Sequence, residues 1–205
     1  MAEAIALAQE LNDDHSLAQA KWAAAVLAQY EHNPAEVKRY SSDLIELSTR
    51  QVINFQIVGP ILSGWGRSAS GDTADSMMWI EHGISNYRAS GAVLAVLFYL
   101  ALKAEALHLA GRTSEALEAI REAEALAESS EERCWSAELH RLRGLFLATL
   151  GAEEIQIEAS FGEAIRIANE QKSLSLAKRA EATYAEYRRQ KASAPGGRSF
   201  RLLLW

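Results

Sequence analysis

Cysteine is almost missing from this 205-residue chain, with Cys134 the single example. One cysteine cannot close an intramolecular disulfide, so nothing marks the chain for an oxidising compartment, and a cytoplasmic location is expected. Long apolar runs are missing too. The longest, Ala92 to Leu102, is well short of the roughly 20 residues that span a bilayer, so no membrane association is expected. The opening residues, MAEAIALAQELNDD, lack a basic region, a continuous apolar stretch and a cleavage site, and read as an amphipathic helix, not a secretion signal. No histidine has a second His or Cys three or four residues away, the spacing at which one helix presents a metal pair, so no metal is expected. A nucleophile with its base is also missing. Cys134 stands beside Trp135 with no base near it in sequence, which makes it a part-buried structural thiol and leaves no catalytic residue to name. Gly59 and Gly64 have the spacing of a phosphate loop, but Trp65 replaces the lysine that would neutralise phosphate, so neither a nucleotide nor another cofactor is expected.

Acid outweighs base, with a net charge of −6, but unevenly. Residues 172–205 hold eight Lys or Arg against two Asp or Glu, leaving thirteen against twenty-five in residues 1–171. A basic end on an acidic body can meet nucleic acid. Lys and Arg also collect at helix C-termini and on solvated helix faces, so nucleic acid is not the expected partner. The sequence Asp13-Asp14-His15 holds ligand-type side chains, but at a helix junction, where aspartate caps helices.

What the chain does have is a period. The segments ALAQE, ELSTR, NYRAS, ALAES and RIANE align Leu7, Leu47, Tyr87, Leu126 and Ile167 at spacings of 40, 40, 39 and 41 residues. In phase with them, Ala24, Gly64, Ala104 and Gly144 recur every 40 residues inside segments that otherwise read as helices. Leu100, Ala104 and Leu107, and then Leu117, Ile120, Ala123 and Ala127, follow helix spacing. Asn33-Pro34, Asp72-Thr73 and Thr113-Ser114 are expected helix starts, and Gly71, Gly111 and Gly151 expected stops. The pattern is helix A, short turn, helix B, short turn, repeated. Small residues suit the point where two helices cross closely: on helix B, Ser76 and Gly83, Ala116 and Ala123, and Ala164 follow in the same way.

The stretch KAEALHLAGRTSEALEAIREA, with Ala104, Leu107, Gly111, Ala116 and Ala123, resembles the tetratricopeptide repeat in its order of small, large, glycine, alanine and alanine. The likeness is weaker around Ala24, where Glu31 and Glu36 hold the glycine and alanine positions, and the period exceeds the family's usual length of about 34. ERCWSAELHRLRGLFLATLG and ASFGEAIRIANEQKSLSLAKRA are similar to the C-terminal helical-repeat region of multidomain bacterial signalling proteins, in which adenylate or guanylate cyclase, or another regulatory domain, and an ATPase domain precede the repeats. The resemblance covers most of residues 1–190 and is most specific over 131–180. It implies an all-α, right-handed superhelix of about ten antiparallel helices, used for interaction or sensing and not catalytic by itself. A receptor for a small-molecule or peptide effector is the alternative.

The phase of the repeat gives a half repeat at 2–12, four hairpins over about 14–171, a final helix at about 173–190 and an irregular tail at 191–205. The first helix presents Ile5, Leu7 and Leu11 with no preceding partner, so either a longer protein or self-association through that face is expected. Trp22, Trp79 and Trp135 are expected in the core. In the family geometry the residue after the small position of helix A faces a concave groove, which maps to Ala25, Trp65, Glu105 and Leu145. The same mapping adds Lys21, Phe98, His108, Glu138, Arg141, Lys178 and Arg188, a mixed aromatic and charged surface expected to take a protein or peptide.

Overall fold

A computed structural model of the protein describes residues 1–48, 53–73, 75–130 and 132–193. Among them the chain forms ten α-helices and no strand. It divides into two compact units, Met1–Val93 and the remainder from Leu94. The first holds α1 (Ala2–Glu10), α2 (Asp14–Tyr30), α3 (Pro34–Ser48), α4 (Ile53–Ala69) and α5 (Ser76–Ala89). The second holds α6 (Val96–Leu109), α7 (Thr113–Ser130), α8 (Ser136–Thr149), α9 (Glu154–Glu170) and α10 (Leu174–Ser193). Within each unit every helix packs on the next in sequence. No helix among the described residues is long and apolar enough to cross a membrane.

Local chemistry sets the boundaries. Asp13 caps α2 by accepting from the backbone N–H groups of His15 and Ser16 at 3.1 and 3.2 Å, the capping role read from the sequence. Asn33 does the same for α3 through the Glu36 N–H at 3.2 Å. After α6 the Gly111 N–H bonds the His108 carbonyl and the Arg112 N–H bonds the Leu107 carbonyl, both at 2.9 Å, with Gly111 at φ +76°. This left-handed closure satisfies the last carbonyls of the helix. The same pair of bonds closes α1, α2, α4, α8 and α9, with Asn12, His32 and Lys172 holding the left-handed position where no glycine is present. Asp72-Thr73 does not start α5. The Asp72 carboxylate is drawn back to Arg67, 2.7 Å away, and the helix begins at Ser76. At the C-terminal end α10 runs to Ser193, past the expected limit of 190, and residues 194–205 of the expected tail lie outside the described residues.

The glycines inside α4 show how closely its neighbours approach. A Cβ on Gly59 would stand 2.6 Å from Ile45 and 3.2 Å from the Ser41 carbonyl oxygen of α3. One on Gly66 would stand 2.8 Å from Lys38 and 3.3 Å from the Pro34 carbonyl oxygen. As numbers rise along α4 they fall along α3, so the two helices are antiparallel. On the other side a Cβ on Gly64 would meet Ile80 at 2.6 Å and the Ser76 carbonyl oxygen at 2.7 Å, and one on Gly83 of α5 would meet Ile61 of α4, again antiparallel. In the second unit, Ala104, Ala116, Ala123 and Ala164 are fully buried, and a Cβ on Gly144 would press on the Phe161 ring of α9 at 2.9 to 3.0 Å.

These contacts set a test of the crossings. Gly64→Leu and Gly144→Leu are each expected to lower stability by about 1–3 kcal/mol through overpacking. Gly162→Ala on α9, where an added Cβ meets nothing within 4 Å, is expected to raise it by about 1 kcal/mol through helix propensity. Urea unfolding followed by circular dichroism decides the matter: midpoints that are equal for the parent and both leucine variants contradict the close crossings.

Candidate functional site

The first unit holds Lys21, Ala25 and Trp65 of the residues expected on a partner-facing strip, and Ala25 is fully buried, as is Leu145 in the second unit. Lys21 on α2 is half-buried and paired with Asp43 of α3. Trp65 is fully buried. Its indole lies inside the unit on α4, which packs against both α3 and α5, so the expectation that it faces a partner is corrected: the close crossings enclose it.

Three other expected residues come together in the second unit, but not as an open groove. Arg141 donates from Nε and Nη2 to the Glu138 carboxylate at 2.9 and 2.7 Å, one turn away on α8. Its Nη2 stands 3.7 Å from Glu105 of α6, and its Nη1 donates to the Thr183 hydroxyl of α10 at 3.3 Å. Arg179 of α10 completes the cluster, 3.5 Å from Glu105 and 3.2 Å from Glu138. Two carboxylates and two guanidiniums thus balance across α6, α8 and α10. Glu105, Glu138 and Arg141 have side chains only 1, 6 and 0 % exposed. Charges this deep persist because they are paired. The corrected role of these three is to lock helices together, since no partner reaches them without parting α10 from α6 and α8.

The remaining expected residues are scattered. Phe98 is buried and stacks on Trp135 with ring centroids 4.7 Å apart, while Trp135 Nε1 donates to Glu132 at 3.2 Å. His108 is half-buried, with Nδ1 3.0 Å from the Thr113 hydroxyl and its ring 5.0 Å from that of Phe146; burial holds its pKa below the usual histidine value. Lys178 and Arg188 are exposed on α10, the latter over the Tyr184 ring at 5.7 Å. Cys134 is exposed, not part-buried. Local desolvation and then the Glu132 carboxylate push its thiol up, which leaves it a weak nucleophile.

Sequence reasoning missed both Arg179 and a cleft in the same unit. Arg179 had a signal: the 41-residue step from Leu126 to Ile167 moves the register of the last helix by one, from Lys178 to Arg179. The cleft, about 540 Å³, is lined by α7, α8, α9 and the segment before α8. Its apolar lining is Ala127, Leu139 and Ile167. On α8, His140 stands 3.6 Å from Glu124 of α7, and Arg143 reaches the same carboxylate at 3.2 Å. On α9, Arg166 holds two carboxylates, Glu163 and Glu170, each at 2.5 Å. Glu128 and Arg133 complete the charged lining, both exposed. Burial lowers the His140 pKa below the ordinary histidine value, against the pull of Glu124 and Glu163. No glycine loop or convergent nucleophile and base accompanies it, and the arrangement is suited to holding charged groups.

Among the described residues the chain is all-helical, and within each unit consecutive helices pack on one another. No protein-family model and no solved structure matches it. A relative among known proteins is an uncharacterized protein of Rhizobium meliloti (strain 1021), 29% identical over 185 residues. That alignment covers 89% of this chain but 18% of the relative, so the chain spans less than a fifth of the relative's length.

The buried cluster makes a definite demand on stability. Arg141→Met is expected to cost about 3–5 kcal/mol, because it leaves buried carboxylate unpaired, whereas Lys178→Met on the exposed face should change stability by less than about 0.5 kcal/mol. Chemical denaturation of the two variants measures the difference. Similar midpoints for both would show that the cluster does not hold the helices.

Proposed function

We propose that this chain is a non-catalytic protein-interaction segment of a longer bacterial signalling or transcriptional regulator, with its hairpins arranged as a right-handed, tetratricopeptide-like superhelix. The observation that carries the reading is the recurrence of one plan, in which α2 with α3, α4 with α5, α6 with α7 and α8 with α9 pack as hairpins about a small residue. Repeats of this kind bury their cores between neighbours and leave an extended surface for partners. A match to under a fifth of the length of a bacterial relative supports the reading as a segment of a longer bacterial protein. Because Trp65, Glu105 and Arg141 are buried, the partner-facing surface in this reading shifts to the charged cleft and the exposed residues of α9 and α10. The cleft also favours a second reading, a receptor for a peptide or small-molecule effector.

Photo-crosslinking tests the proposal. A photoreactive amino acid placed singly at Glu128, Ile155, Leu174 and Lys178, all exposed, is expected to give discrete protein adducts in cells, and Gly64→Leu should abolish none of those adducts unless it unfolds the chain. If every position gives only uncrosslinked chain, with helicity intact, the interaction reading is overturned. A small molecule retained in native mass spectrometry in its place would favour the receptor.

The first helix adds a self-contact to this reading. Leu7 on α1 and Leu11 at its C-terminal cap are 56 and 67 % exposed, Ile5 is half-buried, and among the described residues α1 packs on α2 alone. Burying such a stripe against a second copy is favourable by about 25 cal/mol for each Å² of apolar surface. Sedimentation of the chain is expected to show concentration-dependent association that Leu7→Glu removes. A monomer at every concentration, unchanged by that substitution, overturns the self-contact.

A further inference from the structure

We propose that the cleft between α7 and α9 is a docking site for a lysine or arginine side chain of a protein partner, a step that deepens the interaction reading above and rests on it. A volume of about 540 Å³ lies within the range of built ligand sites. Its apolar lining, Ala127, Leu139 and Ile167, suits the methylene stem of a basic side chain, whose charged head stays among polar groups.

The charges select the sign of the ligand. Arg143 is already held by Glu124, and Arg166 is divided between two carboxylates, Glu163 and Glu170. Glu128, on α7, and Arg133, before α8, are exposed members of the lining that take part in none of these ion pairs. Four carboxylates therefore face three guanidiniums, an excess of one negative charge to which His140 adds a positive charge only when protonated. The unit that holds the cleft, from Leu94 onward, carries sixteen acidic against fifteen basic side chains, so the sign is set by the groups of the cleft itself. An incoming ammonium or guanidinium takes a share of Glu128 and Glu170 without uncovering a buried charge, since Glu170 is 63 % exposed. An anion entering the same cleft would meet that excess of negative charge.

His140 lies on α8 between the charged groups of both neighbours: Glu124 and Glu128 on α7, and Glu163, Arg166 and Glu170 on α9, with Arg143 on its own helix and Arg133 before it. Protonating it adds a positive charge to the site. Affinity for a cation is therefore expected to fall as pH drops through the lowered His140 value, below the ordinary histidine range.

Calorimetric titration of the full chain with acetyl-tetralysine amide, with NMR observation of the His140 ring, tests the site. The peptide is expected to bind, to shift the His140 ring signals, and to lose about tenfold or more in affinity in the double variant Glu128→Gln and Glu170→Gln. The double variant Glu3→Gln and Glu10→Gln makes the same change in net charge on exposed α1 and should leave affinity within about twofold. Lowering the pH from about 7.5 to about 5.5 should weaken binding in the parent and much less in His140→Gln. Equal losses from the two double variants, an unmoved His140 ring, equal binding of acetyl-tetraglutamate, or equal pH dependence in parent and His140→Gln each overturn the site. Tighter binding of spermidine than of the peptide overturns a protein side chain as its occupant. Failure of tetralysine while exposed positions still crosslink to protein removes the cleft and spares the interaction reading; binding without any crosslinked protein does the reverse.

Discussion

Close approach of helix backbones at small residues is the constraint on which the first unit depends. Three glycines lie in α4, and a Cβ on any of Gly59, Gly64 or Gly66 would intrude on the backbone or an isoleucine or lysine of α3 or α5. Each glycine inside a helix costs about 1 kcal/mol against alanine. What offsets that cost is contact: Ile45, Ile61 and Ile80 settle against helix surface that a side chain would otherwise occupy. With the helices this close, Trp65, Ile61 and Leu62 are sealed completely. The second unit reaches the same end with different atoms. There Gly144 makes room for the Phe161 ring, which stacks in turn on Tyr184 at 5.3 Å and lies 6.0 Å from Tyr187, so one small residue on α8 sets the position of α9 and, through it, α10.

Helix α10 has little apolar surface of its own to bury: Ala177, Ala180 and Tyr187 are its buried residues. Its place is fixed by polar geometry as well. Arg179 and Thr183 stand one turn apart and meet Glu105, Glu138 and Arg141 on two other helices. A buried ion cluster contributes little net stability, because removing charges from water offsets most of their attraction. It does discriminate strongly. Sliding α10 by one turn would bury two carboxylates with one guanidinium, so the cluster permits a single register among the three helices.

Most of the architecture was legible because its signals are local. Periodic apolar residues, Asp13 and Asn33 as caps, and glycines at helix ends act within a few residues, and the turns formed where those residues stand. The expected strip was legible only as alignment. Glu105, Glu138 and Arg141 do converge, as their spacing required, but spacing carries no information on depth, and the depth came from α10. Trp65 shows the same limit, because its burial is decided by glycines whose effect depends on neighbours distant in sequence. Asp72 failed as a helix start for a different reason: a nearby arginine competes for the same carboxylate. The cleft had no sequence signal, since its glutamates and arginines sit at ordinary surface positions of three helices.

The two charged clusters of the second unit use the same side chains under opposite conditions of solvation, and that difference decides what each can do. In the buried cluster Arg141 is fully enclosed, and parting it from Glu138 would leave both groups in a medium unable to replace the lost bonds. In the cleft Arg143 and Arg166 are 42 and 52 % exposed. Ion pairs so open to water are worth about 0–1 kcal/mol, because water replaces either partner readily. Exchange of partners is therefore cheap there, and a cation from another molecule can enter at little expense to the fold. The rigid cluster holds α6, α8 and α10 in register, and α8 also carries His140 and Arg143, so the lock on one side of α8 sets the position of the exchangeable charges on its other neighbours. Stability and recognition are thus divided between two sets of charges on one helix, and a substitution that loosens the first would displace the second.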